Sequence, residues 1–169
     1  MRLALLCALL GSLLGLTSCS HYRLGHEGTL RFRTLHVSIV ANDALVPQAR
    51  ALVTTEVREA FIKDGRVRLV DTPDSADATL LLTLDNYARA MTVARADDTG
   101  LARRFEVTLG ARARLIDNQT KQDLFTARPL RAKRGVFTDS GQLQSEYQGL
   151  PLLASDLANQ VVKATLDTW

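Results

Sequence analysis

RFEVTLGARARL, residues 104–115, alternates without a break. Phe105, Val107, Leu109, Ala111, Ala113 and Leu115 occupy one parity; Arg104, Glu106, Thr108, Gly110, Arg112 and Arg114 occupy the other. A helix would return its apolar residues every three or four positions, whereas a period of two sends successive side chains to opposite faces of a strand. A strand apolar on one side only belongs to an antiparallel sheet with one face covered and the other exposed. The rest of the chain must therefore supply neighbouring strands and a cover.

Upstream, Ala78, Leu80, Leu82 and Leu84 share a face, with Leu81 and two threonines opposite, and the alternation runs loosely to about Ala96. Asp97-Asp98-Thr99-Gly100 reads as the hairpin turn joining this strand to the quoted one. Downstream, Asp117-Asn118-Gln119-Thr120 turns the chain again, and Leu124 to about Lys133 returns. Pro129 in that segment predicts an edge strand or a bulged one, because proline cannot donate to a ladder.

The cover comes from two amphipathic segments. Pro47 opens the first, where its missing N–H does no harm, and Ala49, Leu52, Val53, Val57, Ala60 and Phe61 form its apolar face. Gly65 suits the left-handed residue that ends a helix. Before it, Thr34 to Val40 alternates, closed by Asn42-Asp43; after it, Val67 and Leu69 alternate with arginines. This strand–helix–strand unit predicts parallel pairing of its two strands. The turn Asp71-Thr72-Pro73-Asp74 then leads to the long strands. Gly135 to Gly149 reads as a polar loop, and Leu150, Leu153, Leu157, Val161 and Ala164 mark a final helix ending near Trp169. The expected fold is α+β: a two-layer sandwich with two helices packed on one face of a four- to five-stranded mixed sheet, in the order β-α-β-β-β-β-α. The helices cover the side of Phe105, and the other sheet face is polar and rich in arginine.

At the N-terminus Arg2 is the one charge before an apolar run from Leu3 to Leu16. A membrane-spanning helix needs about 20 apolar residues, so this shorter run reads as a secretory signal. It ends in Leu16-Thr17-Ser18-Cys19, which looks like the lipobox of bacterial lipoproteins. The alternative is an ordinary signal peptide with an incidental cysteine. Cleavage before Cys19 and acylation of its thiol and amine would leave a signal at 1–18, a lipidated tether at 19–30 and a single domain at 31–169. Cys7 leaves with the signal and Cys19 carries lipid, so no disulfide framework remains. Two or more acyl chains anchor stably where one is marginal. Ser20 rather than aspartate follows the cysteine, which by resemblance to lipoproteins of double-membraned bacteria directs sorting to the outer membrane.

Formal charge is +3, and loss of residues 1–18 removes Arg2 only, leaving +2. That balance does not argue for nucleic acid. A mature chain of about 150 residues suits one domain with a real core. His21, His26 and His36 have no metal-site spacing, no glycine-rich phosphate loop lies between a strand and a helix, and no histidine beyond residue 36 could serve a serine nucleophile. The expectation is a non-enzyme without cofactor or metal. The arginines remain. Arg103, Arg104, Arg112 and Arg114 lie close together in one strand region, and Arg128, Arg131, Lys133 and Arg134 crowd the next. Guanidinium forks suit phosphates and carboxylates. The face is thus either a contact for anionic lipid or an acidic partner, or simply a solvated sheet surface.

Cys19-Ser20-His21-Tyr22-Arg23-Leu24-Gly25 resembles the start of the LptE-like lipopolysaccharide-assembly lipoproteins, in which a tyrosine, a variable residue, leucine and glycine closely follow the lipidated cysteine. Here one extra residue separates cysteine from tyrosine. The resemblance continues through Val70-Asp71, through Ser75-Ala76-Asp77-Ala78-Thr79-Leu80 at the start of a long strand, and through Asp117-Asn118-Gln119-Thr120-Lys121 with Leu124-Phe125. It implies two helices on a four-stranded mixed sheet. It also implies partnership with an LptD-like outer-membrane β-barrel, a seat partly inside the barrel lumen, and help in placing lipopolysaccharide in the outer leaflet. No catalytic residue or cofactor comes with it, and no lipid-contacting residue can be carried over. A different class stays open: a structural or secretion-apparatus envelope lipoprotein using the same small sheet as a docking module.

Overall fold

The computed structural model describes residues 30–38, 40–44, 46–91, 104–137 and 142–167. In chain order the elements are β1 (Thr34–Val37), β2 (Ala41–Asn42), α1 (Pro47–Asp64), β3 (Arg68–Leu69), a single 3-10 turn (Pro73–Ser75), β4 (Ala78–Met91), β5 (Arg104–Asp117), β6 (Asp123–Phe137) and α2 (Gln142–Leu166). The sheet runs β3-β1-β4-β5-β6, with β2 pairing on β4 beyond the end of β1. β1 is parallel to both β3 and β4, while β4, β5 and β6 form an antiparallel meander. The two-layer α+β sandwich with a mixed sheet is the expected fold. The two-residue β2 is an addition, lying where Asn42 was read as the close of the first strand.

Each helix forms for a local reason. α1 starts with Pro47 at its first position and ends at Gly65, whose φ of 75° is left-handed and whose N–H donates to the Phe61 carbonyl at 3.1 Å. Ala49, Val53, Val57 and Phe61 are buried, and Ile62 on the far side is exposed. α2 departs from the expectation. Residues 135–149 are not a loop throughout: β6 continues to Phe137, and the helix already starts at Gln142 with Pro151 inside it. Glycine and proline so close together oppose a helix. Packing overrides them, because Leu150, Leu153, Leu157 and Val161 bury against the sheet and Gly149 lies against the end of β6, where a Cβ would sit 3.5 Å from Val136.

The core lies between the helices and one face of the sheet. Leu80, Leu82 and Leu84 of β4, Val107, Leu109, Ala111, Ala113 and Leu115 of β5, and Leu130 and Ala132 of β6 all bury there. Fully burying one such side chain contributes about 1.5–3 kcal/mol, so this face dominates the stability. The parity of the quoted strand is therefore right: its apolar half faces the helices. β6 is an edge strand, as Pro129 predicted, and it is also bulged, because Ala113 pairs with Arg128 but Leu115 with Phe125, and Ala127 has φ 45°. The turn at Asp97–Gly100 lies outside the described residues.

Two of the short motifs are joints of this architecture. Asp77 accepts the backbone N–H groups of Arg33 and Thr34, both at 2.9 Å, and its own N–H donates to Thr34 Oγ1 at 2.8 Å. Asn118 Nδ2 donates to the carbonyls of Pro73 (2.8 Å) and Ala76 (2.9 Å), while its Oδ1 accepts the Thr79 hydroxyl at 3.0 Å. Together they lock the start of β1, the start of β4 and the β5–β6 turn at one end of the sheet.

Candidate functional site: the outward face of the sheet

The face away from the helices is where the sequence placed its cations, and the strand register sorts them. Residues paired across neighbouring strands share a face. On the outward side β5 carries Glu106, Thr108, Gly110, Arg112 and Arg114; opposite them β6 carries Gly135, Lys133, Arg131 and Pro129 for the first four. Arg112, Arg114, Arg131 and Lys133 are thus brought together and are exposed. Arg128 and Arg134 are not part of this group. Arg128 pairs with Ala113 and Arg134 with Val107, both core-facing, so these two cations reach toward α2.

There they act as clamps. Arg128 Nη1 donates to the Ala164 carbonyl near the end of α2, and its guanidinium carbon lies 4.3 Å from the Phe125 ring centroid. Arg134 Nη2 donates to Asp156 Oδ2 at 2.7 Å. Arg104 opens β5 opposite Phe137; only its backbone is described. Arg103 and the lipidation candidate Cys19 lie outside the described residues.

The outward cations are not bare. Arg112 Nε meets Asp85 Oδ2 at 3.0 Å, Arg114 Nε donates to Asp123 Oδ1 at 2.8 Å, and Lys133 Nζ donates to Glu106 Oε1 at 2.9 Å. The Asp123 carboxylate raises the Arg114 pKa further, though any guanidinium is already charged at neutral pH. Arg131 has no carboxylate within ion-pair reach among the described residues. Its side chain stands in the row beside Gly110, one step from Arg112. Sequence reading missed Asp85, Asp123 and Glu106. Asp123 and Glu106 were within reach of a register argument, but Asp85 depends on a bulge.

Chemically, the face offers hydrogen-bond donors of fixed charge, half-exposed, on a rigid sheet. That suits recognition of phosphate or carboxylate groups. Among the described residues no group of three or more histidines, cysteines or acids could hold a metal ion, and no helix is long and apolar enough to cross a membrane. The helix side carries an apolar concavity of about 420 Å³, between Leu52 of α1 and Tyr147, Leu150 and Pro151 of α2.

Comparison with known proteins follows the fold. The family model LptE, described as lipopolysaccharide-assembly, matches residues 32–165. Among solved structures, a minor lipoprotein of Acinetobacter baumannii is 15% identical with a TM-score of 0.54, covering 82% of this chain and 96% of its own. A protein of Xanthomonas campestris is 14% identical with a TM-score of 0.56, covering 80% and 85%. A hypothetical protein of Chlamydia trachomatis is 10% identical with a TM-score of 0.55, covering 78% and 94%. At such identities these three share the fold alone. No curated protein matches the sequence.

Proposed function

The chain belongs to the LptE family of lipopolysaccharide-assembly proteins, and from that premise we propose that it is an outer-membrane lipoprotein, anchored through Cys19 on the periplasmic face, that partners an LptD-like β-barrel and helps place lipopolysaccharide in the outer leaflet. The observation that carries this is the match across residues 32–165, which includes every described strand and nearly all of both helices. The outward sheet face supplies the contact in this reading. Arg112, Arg114, Arg131 and Lys133 meet either phosphates of the lipid or acidic groups of the barrel. Arg128 contributes by holding α2 in place.

Pull-down of the full chain from solubilised outer membranes tests the partnership. A large β-barrel protein should come down in stoichiometric amount. Recovery of secretion-apparatus components with no barrel would instead favour the docking-module reading.

A further inference from the structure

Between β4 and β5 the register slips once, where Leu84 pairs with Ala111 and Asn86 with Gly110. Asp85 is the extra residue. Such a bulge sets two neighbouring side chains on one side of the sheet opposite a single partner. Here that side is the outward one. A Cβ added at Gly110 would lie 2.9 Å from Asp85 Oδ1 and 3.0 Å from Asn86 Cβ. A Cβ there would push the Asp85 carboxylate aside and crowd Asn86 Cβ, so the glycine makes room for the bulge and its acid. The Asp85 carboxylate lies over Gly110 and reaches Arg112 Nε at 3.0 Å. The side chain of Asp85 is 28% exposed and that of Arg112 is 52% exposed, so the acid sits beneath and the cation above.

We propose that Asp85 is a positioning residue, held over Gly110 by the bulge, that fixes Arg112 by an ion pair on the Nε side of its guanidinium and leaves its terminal nitrogens to a phosphorylated lipid headgroup. The proposal rests on the lipid-contact reading of this face. Arg114 has a related arrangement with a full hydrogen bond, since its Nε donates to Asp123 Oδ1 and Asp123 is likewise the more covered partner. Neither arginine has an acceptor at its terminal nitrogens among the described residues. The two lie two positions apart on one strand, about 7 Å, so two oriented forks stand in a row. A guanidinium held at one edge loses less freedom when its other edge binds an anion.

The opposite role for Asp85 makes the opposite prediction. If it merely dampened the positive charge of the face, its removal would strengthen anion binding. The full chain in non-ionic detergent is titrated with lipopolysaccharide, with phosphatidylcholine and inorganic phosphate as controls, while NMR relaxation follows the mobility of the Arg112 Nε–H group. Asp85→Ala should weaken lipopolysaccharide binding about fivefold, the cost of ordering one long side chain on binding, despite the added positive charge. It should also raise the mobility of the Arg112 Nε–H group. Asp85→Glu keeps the carboxylate and should retain both the binding and the ordered side chain. Gly110→Ala should behave as Asp85→Ala if it folds. Equal or tighter binding by Asp85→Ala, or unchanged mobility of the Arg112 Nε–H group, overturns the positioning role. Inorganic phosphate binding as tightly as lipopolysaccharide overturns the headgroup assignment. A wild-type chain that does not prefer lipopolysaccharide over phosphatidylcholine removes the lipid reading itself, and the mobility of the Arg112 Nε–H group then decides the positioning separately.

Discussion

Gln160 of α2 caps the open edge of β6 at Arg131. Its Nε2 donates to the Arg131 carbonyl at 3.0 Å, and its Oε1 accepts the Arg131 N–H at 3.3 Å. The side-chain amide thus does what a neighbouring strand would do. Two positions earlier on the same edge stands Pro129, which has no N–H to offer. An unpaired edge is a template for association, and natural sheets block it with such devices. Gln160→Ala should lower stability by about 1 kcal/mol and increase self-association. Denaturant unfolding and sedimentation velocity check the two effects; an unchanged monomer with unchanged stability would show that the cap is dispensable.

The facing of β5 has a direct test in adjacent residues. Leu109 is fully buried against the helices, whereas Thr108 points outward opposite Lys133. Leu109→Asp should therefore cost several kcal/mol, a large share of a domain's stability. Thr108→Asp gains a cation across the strands and should be nearly neutral. Thermal unfolding of the two variants separates them, and similar losses would mean the outward face is misassigned.

Asp77 couples stability to acid. Hydrogen bonds from the Arg33 and then the Thr34 backbone N–H hold its carboxyl below the ordinary range. A depressed folded pKa stabilises above the unfolded value, about 3.9, and that contribution is lost as pH falls through the lowered value. Asp77→Ala should cost about 1–2 kcal/mol at neutral pH and should flatten the decline of stability below about pH 4. Urea unfolding across that window measures both, and an unaltered acid profile would count against the joint.

The anchor is tested outside the folded domain. Cys19→Ala should yield an unprocessed or mis-sorted precursor, because no other thiol remains after the signal. Mass spectrometry of the wild-type mature N-terminus should find an acylated Cys19, and any other starting residue would sink the lipoprotein assignment.

Reversing Arg112 and Arg114 together to glutamate places two acids beside Asp85 and Asp123. Lipopolysaccharide binding should disappear with circular dichroism unchanged. Survival of lipid binding with loss of the barrel from the pull-down would assign the face to the partner instead. If neither measurement moves, the arginines are a solvated surface.

By itself the sequence determined the alternation of Phe105 to Leu115, the limits of α1 from Pro47 to Gly65, the parallel strand–helix–strand unit and the edge position of β6. Each is local information: side-chain period, a ring that fixes φ, a residue free to adopt positive φ. Tertiary structure decided the rest. Residues 142–149 become helix against the pull of Gly149 and Pro151 because the apolar residues that follow bury on β5 and β6. Arg128 and Arg134 leave the outward cluster because the bulged register of β6 sets their parity, which a run of cations does not reveal. Arg112 acquires Asp85 because a bulge in β4 meets a glycine in β5. Charge pairing across strands depends on which residues of distant segments stand opposite, and packing the buried face sets that register.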